Sequence, residues 1–184
     1  AYARGDNAVY VNQYLTSEVK ITLGGDAVVL RQETRYPWEG KITLTVELPS
    51  PKTFSMYLRI PAWCEGVQTP EDLYSLVGKP EQGAATIVVN GEQASMPPVE
   101  KGYACLRREW KLGDTVALEL PMPVWRVKAH PKVEADVGRI ALQRGPVVYC
   151  VENADNPNAV RSLSVPPEAG LTVEHHPELL GGIT

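Results

Sequence analysis

Histidine and cysteine are scarce in this sequence, with three residues each, and no arrangement of them suits a metal or a nucleophile. Cys64, Cys105 and Cys150 stand too far apart for a disulfide framework or for the close pairs of a zinc site, so they read as plain buried thiols. No run of basic residues occurs, and 18 Lys and Arg against 22 Asp and Glu leave a formal charge of −4. That balance excludes nucleic acid and anionic membrane surfaces as partners. No stretch approaches the roughly 20 consecutive apolar residues of a membrane-spanning helix. The opening residues, Ala1 to Asp6, lack both an initiator Met and the basic-then-apolar layout of a signal peptide, and so read as processed or as part of a longer chain. A G-x-S-x-G elbow, an evident Cys and His pair and a Gly-rich phosphate loop are all missing, as is helical periodicity over three or more turns.

Short β-rich runs punctuated by turn residues fill most of the 184 positions. From residue 9 to residue 60 the text reads VYVNQYL, EVKITL, Gly24-Gly25-Asp26, AVVLRQET, Tyr36-Pro37-Trp38-Glu39-Gly40, KITLTVELP and FSMYLRIP. Strands at about ten-residue spacing with such turns predict an antiparallel β-sandwich. Within KITLTVEL the period is two: Lys41, Thr43, Thr45 and Glu47 alternate with Ile42, Leu44, Val46 and Leu48, one face wet and the other core. Asn90-Gly91 suits a tight hairpin and Gly113-Asp114 another chain reversal.

These signals predict an all-β chain: a jelly-roll-like sandwich over residues 1–125, followed by part of a second β-sandwich domain over 126–184. Residues 67–83 read as a surface insertion in which only Pro70 to Leu76 can form a helical turn. VWRVKAHPKVEADVGRIALQRGPVVYCVE holds two or three further strands, and beyond Asn153 a Pro-rich stretch loosens until Ile183, where another strand can begin.

Two carboxylates about 5 to 10 Å apart are the ordinary machinery of a glycosidase. Glu134 and Asp136 fit that spacing if VEADV is a strand, but they are read as its solvent face. His175-His176, flanked by Glu174 and Glu178, reads as a solvated loop. The aromatic set is more suggestive. Trp38, Trp63, Trp110 and Trp125 with Tyr36, Tyr57 and Tyr103 can supply flat faces for a sugar ring or for a partner domain, and Trp38 is the one placed for exposure.

The ordered phrases VYVNQY (Val9 to Tyr14), LRQETRYPWEG (Leu30 to Gly40), LRIPAWC (Leu58 to Cys64), VNGE (Val89 to Glu92), Gly102-Tyr103, REWKLGD (Arg108 to Asp114), LELPM (Leu118 to Met122) and GRIALQRGPVVY (Gly138 to Tyr149) resemble the post-barrel region of family 127 glycoside hydrolases, the β-L-arabinofuranosidase-like group. The resemblance implies a larger bacterial parent in which an (α/α)6 barrel carries the active site and two β-sandwiches follow. It implies chemistry by a zinc-bound cysteine thiolate held by a Cys-Cys pair and a Glu-x-Cys segment. None of those motifs occurs here, so no catalytic or metal-binding residue and no cofactor are expected in this chain, zinc being expected in the barrel. The expected function is that of a non-catalytic scaffold for arabinose-glycan hydrolysis. Its expected partners are the upstream barrel and a second copy of the chain. The alternative is a carbohydrate-binding module, with Trp38, Tyr36 and Trp63 as its sugar-binding or barrel-docking aromatics.

Overall fold

The computed structural model describes residues 1–67, 73–78, 83–157, 160 and 162–179. Its strands are β1 (Tyr2–Gly5), β2 (Ala8–Val11), β3 (Ser17–Leu23), β4 (Asp26–Thr34), β5 (Lys41–Glu47), β6 (Lys52–Arg59), β7 (Tyr74–Val77), β8 (Thr86–Val89), β9 (Glu92–Ala94), β10 (Val99–Glu100), β11 (Tyr103–Trp110), β12 (Thr115–Glu119), β13 (Val124–Ala129), β14 (Ala141–Arg144) and β15 (Val147–Tyr149). Among the described residues there is no α-helix, only two short 3₁₀ turns, Ala62–Glu65 and Glu134–Asp136.

The chain divides into two compact units, the first ending at Met122 and the second comprising β7 and the residues from Pro123 on. In the first unit one sheet has the order β1-β2-β6-β11-β10 and the other the order β3-β4-β5-β12-β8-β9. Period-two patterning explains why they form a sandwich. On β5, Ile42, Leu44 and Val46 are buried while the intervening residues reach the surface, and β6 buries Phe54, Met56 and Leu58 in the same alternation. Residues from both sheets join one hydrophobic core, with Trp110 fully buried, its ring 5.7 Å from that of Phe54 and its indole nitrogen donating to the Phe54 carbonyl at 3.1 Å. Pairing is antiparallel throughout except for β2 against β6, which run parallel with Tyr10 opposite Tyr57 and Val11 opposite Leu58.

Turn chemistry follows the residues that demand it. Asn90 and Gly91, both at positive φ, connect β8 to β9, a conformation that Asn and Gly adopt at least cost. Gly40 serves differently: a Cβ there would run into the Leu120 carbonyl, and the Leu120 amide donates to the Gly40 carbonyl at 2.9 Å, closing the ends of β5 and β12.

The second unit contains a four-stranded antiparallel sheet, β15-β14-β13-β7, with Trp125, Val127 and Gln143 buried. Two local expectations are corrected here. Tyr74, Ser75 and Leu76, read as part of a helical turn in an insertion, lie in β7 and pair with Ala129, Lys128 and Val127 of β13. This segment is therefore an element of the second sheet; residues 70–72 of that reading lie outside the described residues, as does Ile183. Glu134 and Asp136 stand not on a strand but on a 3₁₀ turn, where the Asp136 amide donates to the Val133 carbonyl at 3.0 Å and Gly138 follows at positive φ.

Candidate functional site

The first unit carries a hollow of about 500 Å³, lined by residues from three segments that the sheet brings together. Asn12, Gln13, Tyr14 and Leu15 follow β2, Tyr36 and Pro37 follow β4, Arg59 ends β6 and Pro61 lies just beyond it. Parallel pairing of β2 with β6 delivers the first and last segments side by side, since Val11 lies opposite Leu58 and the next residues are Asn12 and Arg59. The segment after β2 is pinned from beneath. Buried Gln32 on β4 donates its amide to the carbonyls of Gln13 and Leu15, and the Tyr14 hydroxyl donates to the Arg59 carbonyl.

Burial pushes the Tyr14 phenol far above its ordinary range, with the neighbouring Tyr36 adding to the effect, so it stays a neutral donor. Burial also raises Tyr36, against an opposing hydrogen bond with the Trp63 side chain, whose indole N–H donates to the phenolic oxygen. The two phenol rings meet edge to face, 5.8 Å between centroids. Arg59 is held by Nη1, which donates to the carbonyls of Lys101 at 3.3 Å and Gly102 at 3.0 Å, while its Cζ sits 5.4 Å from the centre of the Tyr103 ring. Only glycine suits position 102, because a Cβ would enter the space of the guanidinium and the backbone there has φ of +79°. The Tyr103 hydroxyl donates to Asn12 Oδ1 at 2.8 Å.

From Tyr103 an aromatic ridge runs over the sheet's outer face: Tyr10 and Tyr57 stack at 4.4 Å with an interplanar angle of 8°, and Tyr103 meets both edge-on. Of the aromatics singled out in the sequence, Tyr36 lines the hollow and Trp63, half-buried, supports it from the 3₁₀ turn. Trp38 is also half-buried, in the Arg35 to Glu39 turn that is closed by an Arg35–Glu39 ion pair at 3.0 Å, and it does not line the hollow. Asn12, Tyr14 and Arg59 did not stand out as site residues in the sequence; the phrases VNQY and LRIP were their trace.

Among the described residues no group of three or more His, Cys, Asp and Glu side chains converges. Cys64 is buried, which together with Glu65 pushes its thiol up to about 12, so it is not the thiolate that a nucleophile near neutrality requires. Cys105 lies half-exposed and Cys150 exposed, and His176 is engaged with Glu178 at 3.1 Å.

Comparison with known proteins also divides the chain after Met122, although β7, inside the first match, belongs by its contacts to the second unit. Residues 8–122 match the family model "Beta-L-arabinofuranosidase, GH127 middle domain", and residues 124–178 match "Glycoside hydrolase family 127 C-terminal domain". A non-reducing end β-L-arabinofuranosidase of Bifidobacterium longum subsp. longum is 32% identical over 97% of this chain, which spans 25% of that relative's length. The crystal structure of a β-L-arabinofuranosidase from Geobacillus stearothermophilus T6 superposes with a TM-score of 0.83 at 40% identity, covering 98% of this chain and 26% of the other. A solved structure titled as a GH127 β-arabinofuranosidase gives a TM-score of 0.90 at 41% identity, covering 98% and 28%. With both units matched in order, the chain belongs to glycoside hydrolase family 127 and comprises its middle and C-terminal domains.

Proposed function

We propose that this chain is a non-catalytic accessory region that supports the catalytic barrel of a hydrolase acting on arabinose-containing glycans. One observation carries the reading: residues 8–122 and 124–178 match middle and C-terminal domain models, while the chain spans a quarter of a relative named for β-L-arabinofuranosidase activity. The distribution of chemistry-bearing groups supports it. Glu134 and Asp136 lie on one surface turn of the second unit, Cys64 is held protonated, and the best-organised polar surface contains no acid or nucleophile. Zinc and the thiolate that uses it belong, in this reading, to the barrel.

The test is turnover of an aryl β-L-arabinofuranoside by the 184-residue chain, with zinc and reductant present, beside a longer polypeptide that includes the barrel. Hydrolysis by the longer polypeptide alone is the expected result. Hydrolysis by this chain, abolished in Asp136→Asn or Cys64→Ser, would overturn the reading.

A further inference from the structure

Among the described residues Arg59, a half-buried guanidinium, has no acidic partner. Its Nη1 is committed to two main-chain carbonyls and its face to Tyr103, all uncharged groups. Among the described residues no carboxylate pairs with it, and none lines the hollow beside it. Arg59 thus brings a positive charge and unused planar donors to a concave surface that it shares with Asn12, Gln13, Tyr14, Leu15, Tyr36 and two prolines. Asn12 adds a further donor: Tyr103 occupies its Oδ1 and leaves the Nδ2 amide without a partner among the described residues. The arrangement is built in, since Gly102 is required for the guanidinium's position and Gln32 and Tyr14 hold the segment that supplies Asn12.

We infer that this hollow binds a sugar carboxylate, a uronic acid unit, with the carboxylate on Arg59, a ring hydroxyl on the Asn12 amide and the C–H face of the ring against Tyr36. Arginine presents parallel N–H donors that match a carboxylate's two oxygens, and an aromatic face beside them suits a pyranose ring. A volume of about 500 Å³ lies within the range of small-molecule sites. The inference is independent of the accessory role: it concerns what this chain binds, whether or not it supports a barrel.

Titration of the 184-residue chain with D-galacturonic acid, L-arabinose and acetate, followed by the NMR signal of the Trp63 indole N–H, separates the alternatives. Galacturonic acid is expected to produce a saturable shift, with each control at least about tenfold weaker, arabinose for want of the charge-assisted contact and acetate for want of the ring's contacts with Asn12 and Tyr36. Arg59→Gln is expected to remove the shift. Leu15→Trp is expected to do the same by filling the hollow, and because Leu15 is 44% exposed this change leaves the core untouched and decides the matter if Arg59→Gln does not fold. No saturable shift with galacturonic acid overturns the inference. So does a response as tight to acetate, which makes the site a bare anion site, or to arabinose, which makes the charge irrelevant. Binding that survives in Leu15→Trp places the ligand elsewhere and overturns it as well.

Discussion

Asp114 carries more structure than any other acidic residue of the first unit. Its Oδ2 accepts from the Lys111 amide at 2.9 Å and its Oδ1 from Asn90 Nδ2 at 2.9 Å, while Asn90 Oδ1 accepts from the Thr115 amide at 2.8 Å. Two turns, one after β8 and one after β11, are thereby clasped through one carboxylate. Burial alone would raise the Asp114 carboxyl, but the Lys111 amide, the Asn90 amide and the charges of Arg108 and Lys111 outweigh it and hold the group below its ordinary 3.8. A depressed folded value means that the charged form contributes stability above the ordinary value and loses it as pH falls through the folded one. Asp114→Ala is therefore expected to cost about 1–3 kcal/mol at pH 7, since two hydrogen bonds to a charged acceptor are lost. In denaturant titrations its deficit relative to the parent should begin to shrink below about pH 4 and be smallest below the depressed folded value, where both carry an uncharged corner. A deficit that is constant with pH would show that the charge contributes nothing.

At the scale of elements, what is local was legible and what is long-range was not. The β8 to β9 hairpin follows from Asn90-Gly91, and the two faces of β5 from simple alternation, because both depend on neighbours in sequence. Strand β7 is four residues long and its partner β13 lies some fifty residues further on, so no local pattern revealed that the excursion after Val67 completes another sheet. The parallel pairing of β2 with β6 was invisible for the same reason, and with it the meeting of Asn12 with Arg59. Tyr36 and Trp63 could be singled out from an aromatic turn and a strand end, but their hydrogen bond could not. Gly40 shows the same limit in one residue: its turn was evident, whereas its need for a bare Cα arises from Leu120, eighty positions away. Gly40→Ala must displace backbone and is expected to cost about 2–4 kcal/mol, while Gly170→Ala, facing open space, stays within about 0.5 kcal/mol. Equal midpoints for the two variants in urea would refute the backbone-contact argument.

At the scale of the whole molecule, the two units differ greatly in what they bury. The first has a continuous core drawn from both of its sheets, with Trp110, Phe54, Met56 and several Leu and Ile side chains fully inaccessible. In the second, Trp125 at 7% and Val127 at 8% are the buried apolar residues among those described. Hydrophobic stabilisation follows buried apolar area, so the first unit should unfold later and more sharply than the second. Removing a large core side chain should act on its own unit. Trp110→Ala is expected to cost about 3–5 kcal/mol, by the lost transfer energy and the cavity left behind, and to lower the upper calorimetric transition. Trp125→Ala should lower only the weaker transition and leave the upper one in place. Two separable transitions, each answering to one tryptophan, would establish the units as independent folding bodies. A single transition moved by both variants would mean that the chain unfolds as one cooperative body and that the larger core stabilises the smaller.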